Sequence, residues 1–159
     1  MRKEFVNVIK DLVRNDKGVH LINLDVGQGL FDEMIKEFPN NYWNFGVMEQ
    51  ATIGIAAGMA LEGLKPYVYS ITPFILERPF EQIKLDIVDQ NANVKLVGFW
   101  DYPKAGITHY TKDVAGLCKI LGIPLYEPRS SRETRKFLLE TYADTSPAFF
   151  NLTKDTDKI

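Results

Sequence analysis

A chain of 159 residues with 45% apolar residues and a net charge of -2 is long enough to bury a core without metal or disulfide support. Its mixed charges leave no basic stripe, which argues against nucleic acid and anionic membrane surfaces as partners. No apolar run approaches the roughly 20 residues that span a bilayer. The one cysteine, Cys118, lies in the run VAGLCKILGI; it leaves no internal disulfide and reads as a core residue rather than a nucleophile. Residues 1–10 interleave Lys and Glu with apolar positions, as a surface helix does and a signal peptide does not, so a cytoplasmic chain is expected.

Phe5, Val6, Ile9, Leu12 and Val13 recur at helical spacing, which predicts an amphipathic first helix ending near Asn15 and turned by Lys17 and Gly18. Residues 19–26, VHLINLDV, form a β-rich run that opens into Gly27-Gln28-Gly29, with Asp25 at the strand's carboxyl end. That glycine pair can admit a phosphate, but G-x-G without a third glycine reads better as a tight turn. A helical pattern over 30–38 stops at Pro39, a short strand covers 42–45, and the next helix begins at Glu49 and Gln50 and runs to Leu61. Beyond it come a strand over 67–71, a Thr72-Pro73 turn, a helix over 77–88, a strand over 94–100 and a loop over 101–110. A helix over 113–121, a strand over 124–126, a helix over 131–142, a strand over 148–152 and a frayed tail over 154–159 complete the pattern. No repeat, low-complexity segment or linker divides residues 1–159, so one domain is expected. The alternation predicts a three-layer α/β/α fold on a mainly parallel sheet, which binds ligands at the carboxyl ends of its strands.

The helix over 49–61 stands apart. It is uncharged from Gln50 to Leu61, so it is expected to be buried on nearly all sides. Gly54 and Gly58 each cost about 1 kcal/mol relative to alanine inside a helix. With Ala57 and Leu61 they recur three and four residues apart, a face suited to close approach of a second helix at a subunit interface. Glu49 then sits at the mouth of an apolar interface, either as a helix-start carboxylate held by the local dipole or as a group that shares a proton with a nitrogen base. Phe74 is either core or a ring over the site mouth. Arg78 either grips a phosphate or pairs with Glu81 or Asp86. His109 is either an exposed loop residue or an acid/base group, and His20, inside the first strand, reads as structural.

Three segments carry a resemblance when taken together. The run GVMEQATIGIAAGMALEGLKP, the R-x-x-E-Q pattern of Arg78, Glu81 and Gln82, and Gly106-Ile107-Thr108-His109 resemble, in order, the pyrimidine-binding domain of the transketolase family of thiamin diphosphate enzymes. The resemblance covers roughly residues 19–152 and implies that domain's fold. It implies that Glu49 hydrogen-bonds N1′ of the cofactor's aminopyrimidine, that Phe74 or Ile75 stacks on that ring, and that His109 faces the reacting carbon. Arg78, His109 and Asp25 become the candidate substrate contacts. The chain lacks the family's G-D-G motif with its downstream Asn, so the resemblance implies a separate diphosphate-binding subunit that holds the Mg2+, in a homodimer or heterotetramer, and no metal ligand here. The implied activity is transfer of a two-carbon ketol unit from a ketose to an aldehyde. The same resemblance fits a deoxyxylulose-phosphate-synthase-like enzyme or the β-type subunit of a 2-oxo-acid dehydrogenase, and a noncatalytic α/β scaffold is the competing class.

Overall fold

The first stripe does what its spacing predicts: α1 (Arg2–Asn15) lays Phe5, Val6, Ile9, Leu12 and Val13 into the core. The computed structural model describes residues 1–99 and 103–154; sequence readings that touch Trp100, Asp101, Tyr102 and the tail from residue 155 onward lie outside the described residues. After α1 come β1 (Val19–Asn23), α2 (Asp32–Glu37), β2 (Tyr42–Asn44), α3 (Glu49–Leu61), β3 (Lys65–Ile71), α4 (Thr72–Leu76) and α5 (Phe80–Gln82). A π-helical stretch, Ile83–Val88, extends α5, and β4 (Lys95–Phe99), α6 (Val114–Leu121), β5 (Leu125–Tyr126), α7 (Ser131–Ala143) and β6 (Ala148–Leu152) follow.

The strands form one sheet in the order β2-β1-β3-β4-β6-β5, every pair parallel. Burial on both faces explains why β3, β4 and β6 lack a polar alternation. On one face Leu21, Tyr69, Val97 and Phe150 meet α1, Met34 of α2 and Leu138 of α7. On the other, Ile22, Val68, Leu96 and Phe149 meet Ile53 and Ala56 of α3, Ile83 and Ile87 of the π-helical stretch, and Cys118 of α6. Burial pushes the Cys118 thiol up to about 12, which keeps it out of thiolate chemistry.

Several boundaries move for local reasons. The first strand stops at Asn23, because Asp25 takes φ 58° and Gly27 and Gly29 take φ 74° and 76°, a turn rather than a continued strand. Thr72-Pro73 opens α4 instead of merely turning the chain, with proline in the first helical turn where its missing N–H costs nothing. The helix expected over 77–88 starts only at Phe80, after Pro79, and then widens to π geometry. Gly98 is required by packing: a Cβ there would stand 2.5 Å from Thr72 Oγ1 and 3.0 Å from Thr72 Cα. Its absence lets the start of α4 close down on β4.

The expectation that α3 is buried on nearly all sides does not hold within this chain. Thr52, Ile53, Ala56 and Ala57 face the core, whereas Gly54, Ile55, Gly58 and Leu61 are open. A Cβ at Gly58 would meet nothing within 4 Å, and one at Gly54 only Asp86 Oδ2 at 3.7 Å. Ala57 therefore belongs to the core, and among the described residues the two glycines are not needed by any close contact.

Candidate functional site

The chain leaves β1 for β2 on one side and returns to β3 on the other, which puts a topological switch point between β1 and β3. Ligands of parallel α/β sheets bind at the carboxyl edge beside such a switch. Three segments meet on that edge. Asn44 at the end of β2 accepts from the Gly46 N–H at 2.9 Å, and Gly46 at φ 70° swings the chain so that Glu49 is the first residue of α3. Thr72-Pro73 puts Phe74 on the first turn of α4, and Gly106 at φ 113° starts the short 3-10 turn Ile107–His109.

Four of the residues singled out in the sequence come together here. Glu49 is 6% exposed, and its Oε1 accepts from Arg78 Nη1 at 2.7 Å. The same guanidinium lies over Phe74, its carbon 3.6 Å from the ring centroid. The His109 ring meets Phe74 edge-on, 4.8 Å between centroids at 63°, while Thr108 Oγ1 lies 3.0 Å from His109 Nδ1. A half-buried aromatic face, a buried carboxylate and an imidazole are thus contiguous. Arg78 pairs with Glu49 and not with Glu81 or Asp86, the partners expected from its neighbours in sequence.

The other two candidates go elsewhere. Ile75 turns into the core, fully buried against the α3 side of the sheet. Phe74 is the side chain that presents a ring to the site. Asp25 is exposed and lines a separate cavity of about 430 Å³ with Asn23, Tyr42 and Asn44; Asn44 Nδ2 donates to its Oδ1 at 3.3 Å. Neither Glu49, Phe74, Arg78 nor His109 lines that cavity. His20, in β1, is held by Trp43 of the edge strand β2, whose Nε1 donates to its Nδ1 at 3.2 Å.

Sequence reading missed a second polar group on the same edge. Thr72 Oγ1 donates to Asn151 Oδ1 at 2.9 Å, and Asn151 Nδ2 donates to Glu127 Oε1 at 2.7 Å. These residues follow β3, sit in β6 and follow β5, so only the sheet order assembles them. Among the described residues no three His, Cys, Asp or Glu side chains are grouped to hold a metal.

The sequence model of one family, described as transketolase, pyrimidine binding domain, matches residues 1–156. The chain is 32% identical over 142 residues to one subunit of the apulose-4-phosphate transketolase of Phocaeicola vulgatus, covering 86% of this chain and 46% of that protein. It is 35% identical over 136 residues to 1-deoxy-D-xylulose-5-phosphate synthase of Bacillus velezensis, covering 80% of this chain and 20% of that protein. A solved structure described as a split gene transketolase, inactive beta4 tetramer, superposes with a TM-score of 0.88 at 21% identity, covering 99% of this chain and 52% of that one. The chain thus spans about half the length of the split-type proteins it matches.

Proposed function

Because the chain belongs to the transketolase pyrimidine-binding domain family, we propose that it forms the pyrimidine half of a thiamin diphosphate site in a split transketolase-like enzyme. A separate subunit carrying a diphosphate motif and Mg2+ completes that site, and the assembly moves a two-carbon ketol unit from a ketose to an aldehyde in the cytoplasm. The observation that carries this reading is the position of Arg78. Its guanidinium, a planar group with N–H donors, rests on the Phe74 ring and donates to the buried Glu49 carboxylate. An aminopyrimidine is also planar and needs an aromatic face and a carboxylate partner for a ring nitrogen, so the residues present fit it, with Arg78 standing where it would lie.

When bound, the cofactor supplies a nucleophilic carbon and an electron sink. The chain supplies the rest. Glu49, shielded from water, shares a proton with the pyrimidine N1′; Phe74 orients the ring by stacking; and Arg78 swings away to make room. His109, against the Phe74 ring, is placed to move a proton at a substrate hydroxyl. The companion subunit docks on the open face of α3, where Val47, Met48, Ile55 and Leu61, with Leu85 beside them, are exposed around Gly54 and Gly58. Such an apolar patch is a usual mark of a protein interface.

The test is deuterium exchange at C2 of thiamin diphosphate bound to the chain assembled with its companion subunit. Glu49→Gln keeps size and a hydrogen-bonding amide but cannot exchange a proton, so exchange should slow by about 10² to 10⁴. Glu81→Gln, as a control, should leave it unchanged. Cofactor affinity should fall much less, and the chain without its companion should bind weakly. Exchange at the wild-type rate in Glu49→Gln would make Glu49 a structural carboxylate and the chain a scaffold.

A further inference from the structure

Next to the Phe74–His109 contact lies a cavity of about 300 Å³ that the cofactor contacts do not use. Its walls are the segment after His109, from Tyr110 to Asp113, the start of α6, and Glu127, Asn151 and Thr153 from the carboxyl ends of β5 and β6. The cavity and the reaction site share one support: Thr72, the first residue of the helix that carries Phe74, holds Asn151, and Asn151 holds Glu127. The segment Thr108–Thr111 runs from the imidazole directly into the cavity wall.

The lining itself points to one ligand chemistry. Thr111, 2% exposed, is part of the wall, and the Asn151 amide is engaged on both sides by Thr72 and Glu127, so the exposed Glu127 carboxylate is the group left to meet a ligand. Glu127 has one carboxylate oxygen engaged by Asn151, and the carboxylate as a whole only accepts hydrogen bonds. Within the lining, Lys112 and Asp113 offset each other, and Glu127, exposed as they are, remains as the excess charge. Hydroxyl groups satisfy this lining; a phosphate brings more negative charge against Glu127, and a phosphate ester dianion has no hydrogen to give it.

We propose that this cavity receives the end of the sugar remote from the reacting carbon, and that Glu127 selects a hydroxyl-bearing, uncharged end over a phosphorylated one. The inference rests on the transketolase reading and names its substrate class, in contrast to the phosphate- and sulfo-bearing sugars in the names of two relatives. Glu127 is a specificity residue on this account, since it touches the distal end and not the reacting atoms.

Two measurements test it. In the assembled enzyme with thiamin diphosphate, kcat/KM is measured for D-erythrose and D-erythrose 4-phosphate as acceptors in wild type, Glu127→Gln and Glu127→Arg. Wild type should favour the unphosphorylated aldehyde. Glu127→Gln should shrink that preference, and Glu127→Arg, which replaces repulsion by a charged donor, should swing the ratio toward phosphate by about 10- to 100-fold. Equal ratios in all three proteins, or a wild-type preference for the phosphate ester, overturn the proposal. Independently of turnover, the isolated chain is titrated with erythritol and with inorganic phosphate while its backbone amide resonances are followed. Erythritol should shift Thr111, Glu127, Asn151 and Thr153 more than phosphate does. No shift at those positions, or a larger one with phosphate, overturns it as well. Erythritol shifts together with an inactive assembly would refute the transketolase reading and leave the cavity's selectivity standing.

Discussion

Replacing Arg78 by Ala removes the group that covers both of the proposed pyrimidine contacts, Glu49 and Phe74, and the structure sets the size of the effect. The ion pair to Glu49 joins a carboxylate that is 7% exposed to a guanidinium that is 39% exposed; with that much solvent screening it is worth about 1 kcal/mol. The cation–π contact with Phe74 adds about 0.5 to 1 kcal/mol at a half-exposed position. An incoming aminopyrimidine has to break both, so Arg78→Ala should tighten thiamin diphosphate binding by about tenfold, using 1.4 kcal/mol per factor of ten. The same change strands the Glu49 carboxylate without its partner, which should lower the stability of the cofactor-free chain by about 1 to 3 kcal/mol. The assay pairs calorimetric titration of the assembled complex with urea unfolding of the chain alone. Tighter binding by a less stable protein is the signature of a displaced stand-in. Unchanged or weaker cofactor binding, above all with a fall in kcat/KM, would mean that Arg78 contacts substrate and occupies no place the cofactor needs.

Gly58→Leu puts a large side chain on the open face of α3, where a Cβ meets nothing within 4 Å; it should abolish association with the companion subunit in sedimentation while shifting the chain's stability in urea by no more than about 0.5 to 1 kcal/mol. A chain that unfolds, or an assembly of unchanged mass, would place the interface elsewhere. Burial holds the His20 imidazole below its ordinary 6.5, and its Nδ1 must stay unprotonated to accept from Trp43. The unfolded chain therefore takes up the proton first: stability is at its full value above about pH 6.5 and falls as the pH drops through the folded value. His20→Asn should flatten this part of the urea-stability profile, and the Trp43 indole N–H resonance should move over the same pH range in wild type. A profile identical in mutant and wild type would remove His20 from the account.

How far the site was legible depended on the distance over which its parts communicate. The place of Glu49 was legible because one turn determines its setting: a glycine free to take φ 70° precedes the first residue of a helix that carries no other charge until Glu62. Phe74 and His109 were legible in place for the same reason, each sitting a few residues past a strand end, while the roles of all three were read from the family resemblance and not from their spacing. The choice between Phe74 and Ile75 was not, because adjacent residues on a helix point about 100° apart and only the packing of α4 against the sheet tells which one faces inward. Arg78 reads as locally paired because carboxylates lie near it in sequence, whereas its partner is 29 residues away.

Periodicity and punctuation by themselves determined the order of the strands and of the helices other than α4, the parallel sheet with helices on both faces, and the edge on which to look, since these follow from spacing patterns that no partner can alter. The tertiary structure decided what depends on who lies opposite whom. The order β2-β1-β3-β4-β6-β5 sets Thr72 against Asn151, 79 residues apart, and Asn151 against Glu127. It also leaves one face of α3 uncovered, although its uncharged sequence reads as wholly buried. A sequence records that a surface is apolar; whether that surface meets its own chain or another is settled by packing, because the hydrophobic effect responds only to the area withdrawn from water and is indifferent to which chain withdraws it.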